Sequence, residues 1–105
     1  MIAMNMSMTE RIKAGKLFTD MCEGLPEKRL RGKTLMYEFN HSHPSEVDKR
    51  ESLIKEMFAT VGENAWVDPP VYFSYGSNIH IGRNFYANFN LTIVDDYTVT
   101  IGDNV

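Results

Sequence analysis

From Pro69 onward the sequence has a period of six. The units are Pro69–Ser74, Tyr75–His80, Ile81–Tyr86, Ala87–Thr92 and Ile93–Thr98. Val99 and Thr100 then read as a two-residue insertion before Ile101-Gly102-Asp103-Asn104-Val105 resumes the pattern. The fifth position is apolar in every unit: Phe73, Ile79, Phe85, Leu91, Tyr97 and Val105. The first position is small or branched at Ile81, Ala87, Ile93 and Ile101, and the fourth is Asn78, Asn84, Asn90, Asp96 and Asn104. Glycine holds the second position at Gly76, Gly82 and Gly102. Two inward positions per unit make a short strand that buries alternate side chains. Asn, Asp and Gly tolerate the left-handed backbone of a tight corner. Repeating strand and corner winds a parallel β-helix whose coils touch only their neighbours. An antiparallel sheet with Asn-rich turns has no need of a six-residue period.

The chain before this pattern has different chemistry. Of the 11 Lys and Arg residues only Arg83 lies after Gly62, so the first part nets +1 and the second −4. The boundary falls near Val61-Gly62, dividing the chain into a helical domain, 1–62, and a β-helix, 63–105. Thr9 can cap a first helix that buries Ile12, Leu17 and Phe18. Pro26 can start a second, ending near Asn40, with Leu30, Leu35 and Met36 inward. Pro44 and Ser45 open a third, along which Val47, Ile54, Met57, Phe58 and Val61 recur at helical spacing until Gly62 stops it. Such short amphipathic helices need a partner surface to cover their apolar stripes. The fold class is therefore mixed: a helical subdomain followed by the first coils of a parallel β-helix.

With 105 residues, 43% of them hydrophobic and 24% charged, the composition is that of a globular domain. No apolar run approaches the ~20 residues of a membrane-spanning helix, and no secretory leader is evident. A net charge of −3 argues against nucleic acid as the main ligand. The single cysteine, Cys22, makes neither an internal disulfide nor a zinc site, which points to a reducing, cytoplasmic setting. The methionine-rich start, Met1 to Met8, carries no chemical weight.

The repeats resemble the left-handed β-helix of the hexapeptide-repeat acyltransferases. Glu10-Arg11-Ile12-Lys13-Ala14-Gly15-Lys16-Leu17-Phe18 resembles the small helical domain that precedes this β-helix in the sugar O-acetyltransferases. Their later motif is matched by Tyr75-Gly76-Ser77-Asn78-Ile79 and by Asn84-Phe85-Tyr86-Ala87-Asn88-Phe89-Asn90. The resemblance implies acetyl transfer from acetyl-CoA, as co-substrate and with no permanently bound cofactor, to the 6-hydroxyl of a galactoside. It also implies a homotrimer with active sites between neighbouring β-helices, and a histidine as general base. A maltose or glucose acceptor is the near alternative.

The same resemblance assigns roles residue by residue. Asp20, Ser74, Tyr86, Asn88 and Asp96 match acceptor-binding positions, and Asn88 also matches the amide that steadies the oxyanion of the tetrahedral intermediate. Asn88 stands where the corner takes glycine in three other units, so corner chemistry does not demand it. Asp96 stands at a corner position that favours Asn or Asp for backbone reasons alone. Asp20 equally suits a solvated helix end, and Tyr86 a surface aromatic covering a neighbouring subunit.

The family's catalytic histidine lies in a loop beyond the repeat that begins at Ile101, so no residue of this chain is expected to inherit that role, nor most of the acetyl-CoA site. The 105-residue chain alone is expected to be inactive, a truncated β-helix of fewer than two coils. A non-catalytic remnant with residual sugar binding or self-association is the alternative. His41 and His43 read as solvated helix-entry residues, and His80 as an outward sixth position. One histidine in the repeats does not supply the three ligands that a hexapeptide-repeat carbonic anhydrase needs, so no metal is expected. The basic run Lys28-Arg29-Leu30-Arg31-Gly32-Lys33 reads as the solvent face of a helix rather than a phosphate site.

Overall fold

The computed structural model describes residues 24–105. The first helix, Asp20 and Cys22 lie outside the described residues. Two helices, α1 (Leu25–Asn40) and α2 (Val47–Met57), precede seven short strands: β1 (Thr60–Val61), β2 (Trp66–Val67), β3 (Val71–Phe73), β4 (Ile79–Ile81), β5 (Tyr86–Ala87), β6 (Leu91–Ile93) and β7 (Val99–Ile101).

Every strand pair is parallel, and every register is offset by twenty residues: Thr60 with His80 and His80 with Thr100, Trp66 with Tyr86, Val71 with Leu91. The strands form three narrow sheets, β1-β4-β7, β2-β5 and β3-β6, one for each side of a coil. Three regular hexads would give eighteen residues, so each coil carries two extra. The second coil's insertion is not where the hexad count places it. Val99 pairs with Ile79 in β7, so Val99 takes the inward place and Tyr97 is left 48% exposed in the longer corner. The first coil has the matching insertion, unseen in the sequence, because Phe73 pairs with Ile93 and not with a fifth-position residue. Counting from Thr60 to Ile101 there are two coils, more than the repeat suggested, because β1 and β2 precede the recognisable units.

The corners follow the asparagines. Asn64, Asn84, Asn90 and Asn104 have φ of 58°, 55°, 70° and 61°. Three of them stack at the coil spacing: Asn64 Nδ2 donates to Asn84 Oδ1 at 3.0 Å, and Asn84 Nδ2 to Asn104 Oδ1 at 2.9 Å. The side chain that eases the backbone strain thus also ties coil to coil.

The helices close one end of the stack. Phe39, Leu53, Ile54, Met57 and Phe58 share one apolar cluster with Val67, Val71, Phe73, Ile79, Ile81, Phe85 and Ala87. Leu30, expected inward, is 68% exposed, and Val47 is 47% exposed. Leu35 and Met36 are partly buried against the core as expected, and the fully buried line of α1 runs through Leu25, Gly32 and Phe39. Gly32 is required there: a Cβ would fall 2.1 Å from the Tyr75 carbonyl oxygen. The basic run around it is accordingly more than a solvent face. Lys33 donates to the Phe73 carbonyl, and Arg31 Nη2 donates to Glu56 O at 3.1 Å. At the end of α1, Asn40 Nδ2 donates to Val71 O and Asn40 Oδ1 accepts from Val71 N, both at 2.8 Å. Asn40 therefore serves β3 as one more peptide unit would, covering an edge that would otherwise be open.

Helix α2 starts two residues after Ser45, because Pro44 and Ser45 are used in the turn before it. Glu46 N donates to His43 O at 2.9 Å, while His43 N donates back to Glu46 Oε1 at 2.7 Å. The reciprocal pair closes the turn ahead of the helix, while Glu46 as N-cap makes no side-chain bond to the N–H groups of α2 itself. The helix ends at Met57, and Gly62 lies beyond β1 rather than at the helix terminus.

Candidate functional site

Four of the five candidate residues lie among the described residues, and they fall in two groups. Ser74 and Asp96 share the long corner that follows β3 and β6. Ser74 is half-buried and Asp96 exposed. They are joined through the residue between them in space, Asp95, which is wholly buried. Asp95 Oδ1 accepts the backbone N–H of Ser74 at 3.0 Å and of Tyr75 at 2.8 Å. The hexad reading passed over Asp95. Its one signal was an acidic pair in a unit flanked by Val94 and Tyr97.

Tyr86 and Asn88 form the second group, on and just after β5. Both are exposed. Trp66 is the register partner of Tyr86 in the coil below, so Asp68 precedes Asn88 by one coil. The Asp68 carboxylate accepts from Trp66 Nε1 at 2.8 Å and from the Tyr86 hydroxyl at 3.0 Å. That hydrogen bond and the nearby negative charge push the Tyr86 phenol above its ordinary value of 10.0, so at neutral pH it is a neutral donor or acceptor. Asp68 is the second residue that the sequence reading missed; its proximity to Tyr86 exists only once the coils are stacked. The Asn88 amide makes no hydrogen bond among the described residues and is free to meet a ligand.

No hydrogen bond among the described residues links the Ser74–Asp96 corner to the Tyr86–Asn88 group. The two lie on different sheets of the same prism, β3-β6 and β2-β5.

The histidines are occupied elsewhere. His80 Nδ1 is hydrogen-bonded to Thr60 Oγ1 at 2.9 Å, across the β1–β4 ladder. His41 stacks on Tyr37, with Nδ1 2.8 Å from the Tyr37 carbonyl. His43 Nδ1 accepts from Ser45 N at 3.1 Å in the turn before α2. Among the described residues there is no group of three His, Cys, Asp or Glu side chains able to hold a metal ion. None of the described helices is long and apolar enough to cross a membrane.

The fold, the corner chemistry and the helical cap together define a class. Residues 11–62 match the family model described as the maltose acetyltransferase hexapeptide capping motif, and the coils are those of the left-handed β-helix acetyltransferases. The chain belongs to the hexapeptide-repeat acyltransferases. It is 96% identical to galactoside O-acetyltransferase of Escherichia coli K12 over 97% of its own length and 50% of that protein's. A solved galactoside acetyltransferase in complex with coenzyme A superposes with a TM-score of 0.93 at 96% identity, covering 95% of this chain and 50% of that one. A maltose O-acetyltransferase from Clostridium difficile 630 is 31% identical, with a TM-score of 0.74 over 94% of this chain and 56% of its own. The chain spans about half the length of the curated relatives it matches.

Proposed function

We propose that this chain supplies the acceptor side of an acetyl-CoA-dependent galactoside O-acetyltransferase. The observation that carries this is the 96% identity to a galactoside O-acetyltransferase, maintained along almost the whole chain. In the reaction, the sugar hydroxyl oxygen attacks the thioester carbonyl while a general base takes its proton. The tetrahedral intermediate then collapses and releases the thiolate of coenzyme A. The Asn88 side-chain amide, exposed and without a partner among the described residues, is the donor for the oxyanion. A preorganised donor of this kind contributes about 3 kcal/mol in other acyl-transfer enzymes. Tyr86, held by Asp68, and Ser74 with Asp96 contact the acceptor, as does Asp20. The general base is none of this chain's histidines, since His80, His41 and His43 are bonded away from both groups.

The separation of the two groups on different sheets supports a site shared between neighbouring β-helices, hence a homotrimer: one subunit offers the Ser74 corner and another the Tyr86–Asn88 face. A cytoplasmic location fits the acetyl-CoA requirement. A maltose or glucose acceptor is the second reading, favoured by the capping-motif match over residues 11–62.

The test is coenzyme A release from acetyl-CoA with a thiogalactoside acceptor. The 105-residue chain is compared with the same chain continued through the coils its relatives possess. Turnover only in the longer protein, with kcat/KM higher for the galactoside than for maltose or glucose, is the expected result. Turnover by the 105-residue chain would overturn the assignment of the base and turn attention to His80.

A further inference from the structure

We propose that Asp95 is a positioning residue for the acceptor: it holds Ser74 and Asp96 in one fixed arrangement without touching the sugar itself. This rests on the acetyl-transfer reading above for its kinetic consequence, and on the hydrogen bonds alone for its mechanical one.

The corner between β3 and β4 is two residues longer than a regular hexad corner, so its backbone N–H groups run out of ladder partners. An unpaired buried N–H is costly, and a long corner would otherwise sample several shapes. Asp95 removes both problems. Its side chain is wholly buried, and Oδ1 accepts from Ser74 N at 3.0 Å and Tyr75 N at 2.8 Å, while Oδ2 accepts from Asn78 N at 3.3 Å. Asn78 Nδ2 returns a bond to the Asp95 carbonyl at 2.8 Å, and Ile79 N donates to Gly76 O at 3.0 Å to close the turn. A carboxylate buried with backbone donors on both oxygens is a charge-assisted clamp, stronger than neutral bonds of the same number.

The clamp couples the two long corners. One end is the amide of Ser74; the other is the residue directly preceding Asp96. Loosening it displaces the Ser74 hydroxyl and the Asp96 carboxylate together, while Asn88 and Tyr86 sit on another sheet and keep their places. A residue that only stabilised the fold would have no reason to act on one substrate more than the other.

The experiment uses the chain continued through the coils of its relatives, with Asp95→Asn and Asn78→Ala. In Asp95→Asn one oxygen becomes an amide nitrogen that faces a backbone donor, so part of the clamp is lost at unchanged size. The KM for the thiogalactoside is expected to rise ~10-fold or more in Asp95→Asn, with the KM for acetyl-CoA within about twofold of the parent. Asn78→Ala keeps the carboxylate, so it should raise the acceptor KM by only about twofold to threefold. Hydrogen exchange at the amides of Ser74, Tyr75 and Asn78 should quicken by ~10-fold in Asp95→Asn, with β5 amides unchanged. Equal changes in both KM values, or an unchanged acceptor KM in a folded variant, would overturn the proposal. If Asp95→Asn does not fold, an unchanged acceptor KM in folded Asn78→Ala with faster exchange at the backbone amide of position 78 overturns it equally. If the parent transfers no acetyl group, the functional reading fails. The exchange rates then still decide whether Asp95 holds the corner.

Discussion

The two ends of the coil stack are built from the same repeat and are buried to different degrees. At the end beneath the helices, Val67, Val71 and Ile79 are wholly buried. In the second coil Leu91 and Val99, the register partners of Val71 and Ile79, are only partly buried, as is Ile101 above Ile81; Ala87 above Val67 stays buried, and Val105 is 62% exposed. The hexad supplies inward side chains equally at both ends. What differs is the covering: Phe39, Leu53, Ile54 and Met57 pack on the first coil, and Asn40 and Lys33 satisfy its carbonyls at Val71 and Phe73. A solenoid coil is stable in proportion to its neighbours, so a cap made from helices stands in for the coil that is not there.

Core truncation at each end should give the largest contrast. Ile79→Ala is expected to lose about 4 kcal/mol and Ile101→Ala about 1 kcal/mol in the 105-residue chain, read by urea denaturation. Continuing the chain through further coils should bring the second value towards the first. Equal losses in the short chain would break the comparison.

Close stacking of the corners should give the next effect. A Cβ on Gly82 would lie 2.7 Å from the Gly102 backbone, whereas one on Gly102 meets nothing within 4 Å. Gly82→Ala is therefore expected to lose roughly 2 kcal/mol and Gly102→Ala less than about 0.5 kcal/mol, measured as shifts in denaturation midpoint.

Edge coverage comes third. Asn40→Ala removes both bonds to Val71 and leaves that strand's polar groups partly buried, for an expected loss of about 1.5 kcal/mol. Amide exchange at Val71 should quicken in the same variant, while Leu91, its neighbour in the next coil, keeps its rate.

The smallest effect is in acid. Glu46 near the capped end is held below its ordinary 4.5 chiefly by the His43 N–H, and Asp103 near the other end below its ordinary 3.8 chiefly by the Arg83 N–H. A carboxylate lowered in the folded state favours folding above its ordinary value, and that contribution fades as pH falls through the lowered one. Melting temperature should therefore drift down slightly as pH drops through that range. Glu46→Gln and Asp103→Asn should each flatten the drift; an unchanged slope in both variants would assign the acid response to other groups.

The corner chemistry was legible because it is local. Asn84, Asn90 and Asn104 announce left-handed corners by residue type, and the alternation around Ile79 and Ile81 announces strands. The extent of α1 was legible for the same reason, from Pro26 to Asn40. Its facing was not: Leu30 looked inward by pattern, yet the contact surface is the Tyr75 loop, and only Gly32 lets α1 approach it. The candidate residues Ser74, Tyr86, Asn88 and Asp96 came from motif resemblance, whereas Asp95 and Asp68 did not, since each acts on a residue eighteen to twenty-one positions away.

Amino-acid order alone determined the strand, the corner and the parallel winding, because steric preference and side-chain alternation operate within six residues. The tertiary structure decided the twenty-residue coil, the inward place of Val99 in preference to Tyr97, and the partners of Asp95 and Asp68. Those depend on which coil lies above which, and an inserted pair of residues moves that register without altering the local pattern on either side.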